Sequence, residues 1–210
     1  MKDLFIKTSV FIVIGVIAFS CSGLENEPEV KKLNTDSVLK ANEDQLKLAT
    51  LEFKPGVVDI IDIPEMLTIS KIDSAPMRDV SFKVAKAYSV LEAEMNEIGA
   101  SLDGMPGMIT YNNDTTNFKF ECVLPIKELP KKQPRTCKIV VLEACPMLIY
   151  NYFGPYQQLF TAYNKIREYN KANGLEQNGP MREFYLTDPT VETNPAKWQT
   201  RIMVPVVKVK

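Results

Sequence analysis

From about residue 51 onward, short β-rich runs alternate with two longer stretches whose apolar residues fall at helical spacing. Val80, Val84, Ala87-Tyr88, Leu91, Met95 and Ile98 advance by three and four positions, which predicts an amphipathic helix stopping at Gly99. Gly154-Pro155 opens a second helix with Tyr156, Leu159, Phe160, Tyr163 and Ile166 on its apolar face, ended by Asn173-Gly174. Before the first helix, Val57–Ile63 and Met66–Ile72 read as strands. After it, Met108–Asn112 and Phe118–Ile126 read as two strands joined by a polar turn at Asn113-Asp114-Thr115-Thr116. Lys138–Glu143, Leu148–Phe153, Glu183–Leu186 and Trp198–Val206 repeat that plan around the second helix.

The plan repeats because the sequence does. Pro106-Gly107-Met108-Ile109-Thr110-Tyr111-Asn112-Asn113-Asp114 is answered by Pro180-Met181-Arg182-Glu183-Phe184-Tyr185-Leu186-Thr187-Asp188. Phe118-Lys119-Phe120-Glu121-Cys122-Val123-Leu124-Pro125-Ile126 is answered by Trp198-Gln199-Thr200-Arg201-Ile202-Met203-Val204-Pro205-Val206. Each match is weak, but they share order and near-equal spacing, and Ala87-Tyr88 is answered by Ala162-Tyr163 on the helices. The expected fold is α+β: two pseudo-symmetric β-α-β-β modules, residues 57–126 and 138–207, side by side with a cleft at their seam.

An address precedes this domain. Lys2 and Lys7, an apolar run from Val10 to Phe19 and then Ser20-Cys21 describe an export signal, the run being too short for the roughly 20 residues a membrane span needs. The segment resembles a bacterial lipoprotein signal, with bulky Phe19 a departure from the usual pattern; an ordinary cleaved signal or an anchor is the alternative. The implied organisation is a signal over 1–20, a lipid at Cys21, a polar tether over 21–50 and a domain over 51–210. It places the domain in the cell envelope, held to a membrane.

Composition removes several chemistries. The chain carries 25 basic and 26 acidic side chains and stays near neutral once the first twenty residues are set aside, so no basic surface marks a nucleic-acid partner. It contains no histidine, which removes Ser-His and Cys-His catalysis and the commonest zinc ligand, and leaves haem only Tyr, Cys or Met as axial ligands. Beyond Cys21, the cysteines Cys122, Cys137 and Cys145 form no close pair; one disulfide with a free thiol or three buried thiols both fit. Neither a metal nor a cofactor is expected.

The second repeat carries a family resemblance. Asn151-Tyr152-Phe153-Gly154-Pro155-Tyr156, the helix ending near Asn173-Gly174, then Gly179-Pro180-Met181-Arg182-Glu183-Phe184-Tyr185 and Arg201–Val206 resemble the GyrI-like small-molecule-binding domain. That domain also serves as the effector module of some AraC-type and multidrug-responsive regulators, and its fold is shared with SOUL proteins. The resemblance covers about 57–207 and implies a cleft that takes lipophilic, often cationic, compounds against aromatic rings and a central glutamate. Some relatives hydrolyse strained-ring compounds.

Carried over residue by residue, the central glutamate is Glu183, with Tyr185 on the same strand face. The repeat aligns Ile109 with Glu183 and Tyr111 with Tyr185, so the expected pocket has one carboxylate and tyrosines from both halves. Tyr150 and Tyr152, which share a strand face, are further candidates, as are Phe118 and Trp198, equivalent in the two copies. Each has a plainer reading: Glu183 as a surface ion-pair partner of Arg182, the strand tyrosines as core, Trp198 as packing. Tyr88 and Tyr163 fall on helical core stripes, Tyr156 is expected to fix the Gly-Pro turn, and Glu121 and Arg201 either pair or stand in solvent. Three functions follow. One is an exported binder of small amphipathic, cationic molecules. A second is a metal-free hydrolase using Glu183 with Tyr185 or Tyr111. The third is a protein-interaction module whose seam is filled.

Overall fold

The computed structural model describes residues 54–209. The signal, Cys21 and the whole of the tether lie outside them. No helix among the described residues is long and apolar enough to cross a membrane.

The order of elements is β1 (Gly56–Ile63), β2 (Met66–Ala75), α1 (Val80–Ile98), β3 (Gly107–Thr110), β4 (Phe118–Pro125), β5 (Lys138–Leu142), β6 (Cys145–Phe153), α2 (Leu159–Ala172), β7 (Leu175–Gln177), β8 (Met181–Tyr185) and β9 (Gln199–Lys208). Both expected helices and all eight expected strands are present, and the short β7 is additional. The strands lie side by side as β1-β6-β9-β8-β3-β4-β2-β5, every pair antiparallel, with β7 against the end of β9. The domain is α+β, with one large antiparallel sheet and two helices.

Two of the strands sit where the modular plan did not put them. β1 pairs with β6 of the second half, and β5 pairs with β2 of the first. Each half has therefore given its leading strand to the other. Matching β1 with β5, β2 with β6, β3 with β8 and β4 with β9 reverses the strand order into itself.

This exchange forces the sheet to curl. β1 and β2 stand near opposite ends of the strand order, yet only Pro64 and Glu65 separate them in sequence. Three Cα steps of 3.8 Å span at most about 11 Å. Glu143-Ala144 imposes the same limit between β5 and β6. The sheet must curl until its edges approach, and a core fills the inside: Ile63, Ile109, Val123, Met147, Ile149 and Phe184 among others, drawn from strands across its whole width.

Two further cores lie on the outer face, one under each helix. Ala87, Leu91 and Ile98 of α1 pack on Ile69, Phe120 and Leu124, whereas Leu159, Ala162 and Ile166 of α2 pack on Leu148, Ile202 and Val204. Glu94, on the buried side of α1, accepts hydrogen bonds from the backbone N–H groups of Thr136 (3.0 Å) and Cys137 (3.1 Å) and from the Thr136 hydroxyl. It pins the segment entering β5 onto the first half. Burial alone would raise its pKa, but these hydrogen bonds hold the carboxyl at about 2.

Candidate functional site

The strip of sheet between the helices is β8 and β3, and their contact is unusually close. A Cβ on Gly107 would fall 2.7 Å from the Glu183 carbonyl oxygen and 2.8 Å from the Phe184 ring, so only glycine fits. Above this seam lies an open cleft of about 2060 Å³, walled by both helices and floored by β3 and β8. It exceeds the roughly 300–1,000 Å³ common for small-molecule sites.

At its floor sits Glu183, 1% exposed. It accepts a hydrogen bond from the Tyr163 hydroxyl of α2 and one at 3.3 Å from Tyr185 on its own strand. It has no ion-pair partner among the described residues. Burial raises its pKa above the ordinary carboxylate range, and the two tyrosine hydrogen bonds offset this only in part. Tyr163 and Tyr185 are in turn shifted upward, first by burial and then by the Glu183 charge, so both remain protonated donors.

Rings gather beside the carboxylate. Tyr156 packs edge-on against Tyr185 at 5.2 Å and tilts over Trp198 at 4.9 Å. Tyr88 of α1 donates to the Gly107 carbonyl at 2.6 Å and lines the opposite wall. Met77, Met95, Met105, Met108 and Met181 also line the cleft, more than half of the chain's nine methionines. Their unbranched thioethers give a wall that can repack around different shapes. Among the described residues, the charged side chains at the cleft are Glu92, Glu183 and Asp188 against Arg167 alone.

The structure brings Glu183, Tyr185, Phe118 and, at the rim, Tyr111 to one cleft and leaves Tyr150, Tyr152 and Trp198 outside its lining. Tyr111 reaches the rim, but the sheet is shifted by one residue from the repeat alignment. In register, Glu183 faces Met108, not Ile109, and Tyr185 answers to Thr110 by face, not to Tyr111. A one-residue slip sends every side chain to the opposite face. Tyr111 accordingly donates to Glu121, which lies on the face of Ile109 and Val123 inside the curled sheet.

Tyr150 and Tyr152 are buried in the core beneath α2 and do not line the cleft. The Tyr152 hydroxyl donates to the Pro155 carbonyl at 3.1 Å and crosses close over Gly154, where a Cβ would meet it at 2.4 Å with φ at +141°. The ring that fixes the Gly-Pro turn is thus Tyr152 instead of Tyr156. Trp198 stands behind Tyr156, its indole N–H donating to the Glu192 carbonyl at 2.7 Å.

Arg182 does not pair with Glu183. As strand neighbours they point to opposite faces, and Arg182 donates to the Glu143 carbonyl at 3.0 Å. Glu121 and Arg201 are both buried; Glu121 receives Tyr111, and Arg201 donates to Asn151 at 3.1 Å. Cys122, Cys137 and Cys145 are free thiols, and burial, then the charges of Asp73 and Glu121, push Cys122 up to about 12.

Tyr163 and Tyr88 are site residues that the sequence reading assigned to the core. Their positions on the apolar stripes are as expected, but the stripe turns partly toward the cleft. The sequence signal was their equivalence in the repeat, Ala87-Tyr88 with Ala162-Tyr163, which marks one place per helix where both halves retain a hydroxyl at the end of an apolar ring.

An α+β domain with one large antiparallel sheet, an open aromatic and methionine cleft over its central seam and one buried carboxylate has the features of a small-molecule-binding module. The GyrI-like small molecule binding domain matches residues 57–207, and the chain belongs to that family. Among solved structures it is similar to the EcmrR C-terminal domain, with 22% identity and a TM-score of 0.65 over 72% of this chain and 97% of that one. EcmrR in its complex with DNA gives 21% and 0.63, over 82% of this chain and 66% of that one. A conserved protein from Listeria innocua gives 16% and 0.61, over 79% and 98%. At such identities the likeness is one of fold. No curated protein matches the chain.

Proposed function

We propose that this domain binds small amphipathic cations, the charge set against Glu183 and the apolar body against the tyrosines and methionines. One observation carries the reading: a carboxyl group 1% exposed, with no cationic partner among the described residues, at the floor of an open cleft. Such a group is poorly solvated when ionised, and a ligand cation supplies the missing charge. Each dry ring face adds roughly 0.5–2 kcal/mol of attraction to that cation. The acidic surplus of Glu92 and Asp188 over Arg167 draws the same class of ligand. Charge and apolar area select here more than shape does, which suits a cleft this wide and adaptable, and a sensing, sequestering or detoxifying role.

We further propose, from the export signal read in the sequence, that this activity lies in the cell envelope, tethered through a lipid on Cys21. Cys21→Ala should release the chain from the membrane fraction; retention would remove the anchor from the reading.

The binding test is a thermal-shift titration of the full-length chain with a cationic dye and a neutral analogue of the same shape. A ligand at 100 times its dissociation constant adds about 2.7 kcal/mol of stability. Stabilisation by the cation alone, lost in Glu183→Gln, is the expected result. Equal shifts in the mutant would show that Glu183 does not read the charge.

A hydrolytic reading uses the same carboxyl as a general base, with Tyr185 or Tyr163 as proton donor, since the Tyr111 hydroxyl is engaged with Glu121. The raised pKa of Glu183 between two hydroxyls favours it. Turnover of an electrophilic substrate, abolished in Glu183→Gln, would establish it over simple saturation.

A further inference from the structure

The cleft is longer than a small cation at its floor requires. α1 rests on β2 and β4, and α2 on β6 and β9, so β8 and β3 lie between the helices. From the middle of β6 and β9 to the middle of β4 and β2 is four strand spacings, about 19 Å. Packed helices stand roughly 8–10 Å apart, so the gap is two packing distances wide and has room for one more helix. The cleft wall runs from Val80 to Asn96 along α1 and from Leu159 to Asn170 along α2, about 24 and 17 Å at the helical rise. Three turns of helix are about 16 Å long. With side chains they fill a cylinder about 10–12 Å across, or roughly 1,300–1,800 Å³, which is most of the cleft's 2060 Å³.

Its upper walls are apolar and uncovered. Met77, Leu102, Met105, Tyr111 and Phe160 line the cleft and are 42–58% exposed, whereas Glu183 at the floor is 1% exposed. A small cation held at Glu183 leaves these side chains in water; an occupant as long as the cleft covers them. Charge decides between occupants. Among the described residues the cleft holds Glu92, Glu183 and Asp188 against Arg167, which favours a basic one. The chain's own tether over residues 21–50 has six acidic and four basic side chains, so it is the wrong sign for the place.

Resting on the reading that Glu183 receives a cation, we propose that the cleft is a docking groove for a basic amphipathic helix of another polypeptide, about three turns long. Its apolar side chains, at steps of three and four residues, lie on the methionines and rings, and a lysine or arginine among them reaches Glu183. Further basic residues face Glu92 and Asp188, both exposed on the cleft wall. The methionines let the groove accept helices of differing sequence.

Three synthetic peptides of about twelve residues test this, titrated by fluorescence anisotropy into the full-length chain. The first places leucine and lysine at helical spacing. The second has the same composition in strict alternation, and the third has glutamate for lysine in the helical order. The first should bind, gain helical circular dichroism on binding and displace a cationic dye from the cleft. The other two should bind at least about tenfold more weakly. Met105→Ser/Phe160→Ser removes two exposed wall contacts and should weaken the helical peptide at least about fivefold more than the dye. Glu183→Gln should weaken both.

Failure of the helical peptide to bind, to gain helix or to compete with the dye overturns the groove, as does equal binding of the alternating peptide. The cation reading then stands if the dye binds and needs Glu183, and falls as well if the dye does not bind. Wild-type peptide affinity in the double variant would put the peptide elsewhere on the surface, which also overturns the proposal. Met105 and Phe160 are about half exposed, so the melting temperature should hold, and Phe160→Ser alone serves if the double variant does not fold.

Discussion

Met108 and Glu183 are register partners across the seam of β3 and β8, and both line the cleft. Each half brings a tyrosine from its helix to this place: Tyr163 donates to the Glu183 carboxyl, and Tyr88 donates to the backbone of Gly107 at 2.6 Å. The cleft therefore has two chemically different sides over a common floor, a carboxylate on one and a thioether on the other. A ligand with one charged and one apolar end meets a surface of the same kind.

Met108→Glu would set a second carboxyl directly opposite Glu183. Two carboxylates this close cannot both ionise cheaply, so one takes up a proton and the pair resists neutral pH. The variant should lose about 1–3 kcal/mol at pH 7, the cost of an unpaired buried polar group, and recover most of it below about pH 4. Denaturant melts at both pH values decide this. Equal losses at both would mean a packing defect in place of a charge effect.

Tyr163→Phe removes a donor whose hydrogen bond favours the ionised form of Glu183. The Glu183 pKa should rise further, and the protein should lose about 1.5–3 kcal/mol at a pH where the carboxyl is ionised, as for a hydrogen bond to a charged group. Carboxyl-carbon NMR titration reads the midpoint directly. A midpoint that stays in place would remove Tyr163 from the site.

The helices and most strands were legible because their periods are local. Val80 to Ile98 keep a 3.6-residue stripe, and Phe118 to Pro125 keep a strand pattern whatever packs on them. The carboxylate was legible through the stretch around Gly179-Pro180 and Glu183. Three things were not. Aligning Tyr111 with Tyr185 matched residue types, whereas the pleat aligns Met108 with Glu183, and a shift of one residue inverts faces without changing composition. The exchange of β1 and β5 also leaves no local trace, because a strand's own pattern does not say which neighbour it will join. Tyr163 was hidden for a related reason: an apolar stripe does not distinguish a ring facing the sheet from one facing a cleft.

Gly107→Ala tests how tightly the seam is built. The added methyl would meet the Glu183 carbonyl at 2.7 Å and the Phe184 ring at 2.8 Å, and a paired strand cannot move away without breaking its ladder. Overpacking of this kind costs about 1–3 kcal/mol, and the backbone contact should put this variant at the upper end. Cation affinity should fall with it, since the floor of the cleft moves. A variant with wild-type melting temperature and affinity would show that β3 and β8 are less closely joined than the register implies.

Glu94 and Glu183 should give stability opposite dependences on pH. The Glu94 pKa is lowered to about 2 by hydrogen bonds from Thr136 and Cys137, so its contribution is present above the unfolded value of about 4.3 and is lost as pH falls toward 2. The Glu183 pKa is raised by burial, so its contribution is fully present below about 4.3 and is lost as pH rises through the folded value. Glu94→Gln should therefore cost about 1.5–3 kcal/mol near neutrality and little near pH 2. Glu183→Gln should gain stability relative to wild type as pH climbs above about 4.3, and level off once the carboxyl would be ionised. A bound cation favours the ionised Glu183, so binding releases a proton and affinity rises with pH by up to about tenfold per unit below the folded pKa. Calorimetry in buffers of differing ionisation enthalpy measures that proton. Its absence, together with pH-independent affinity, would mean that the cation does not sit against Glu183.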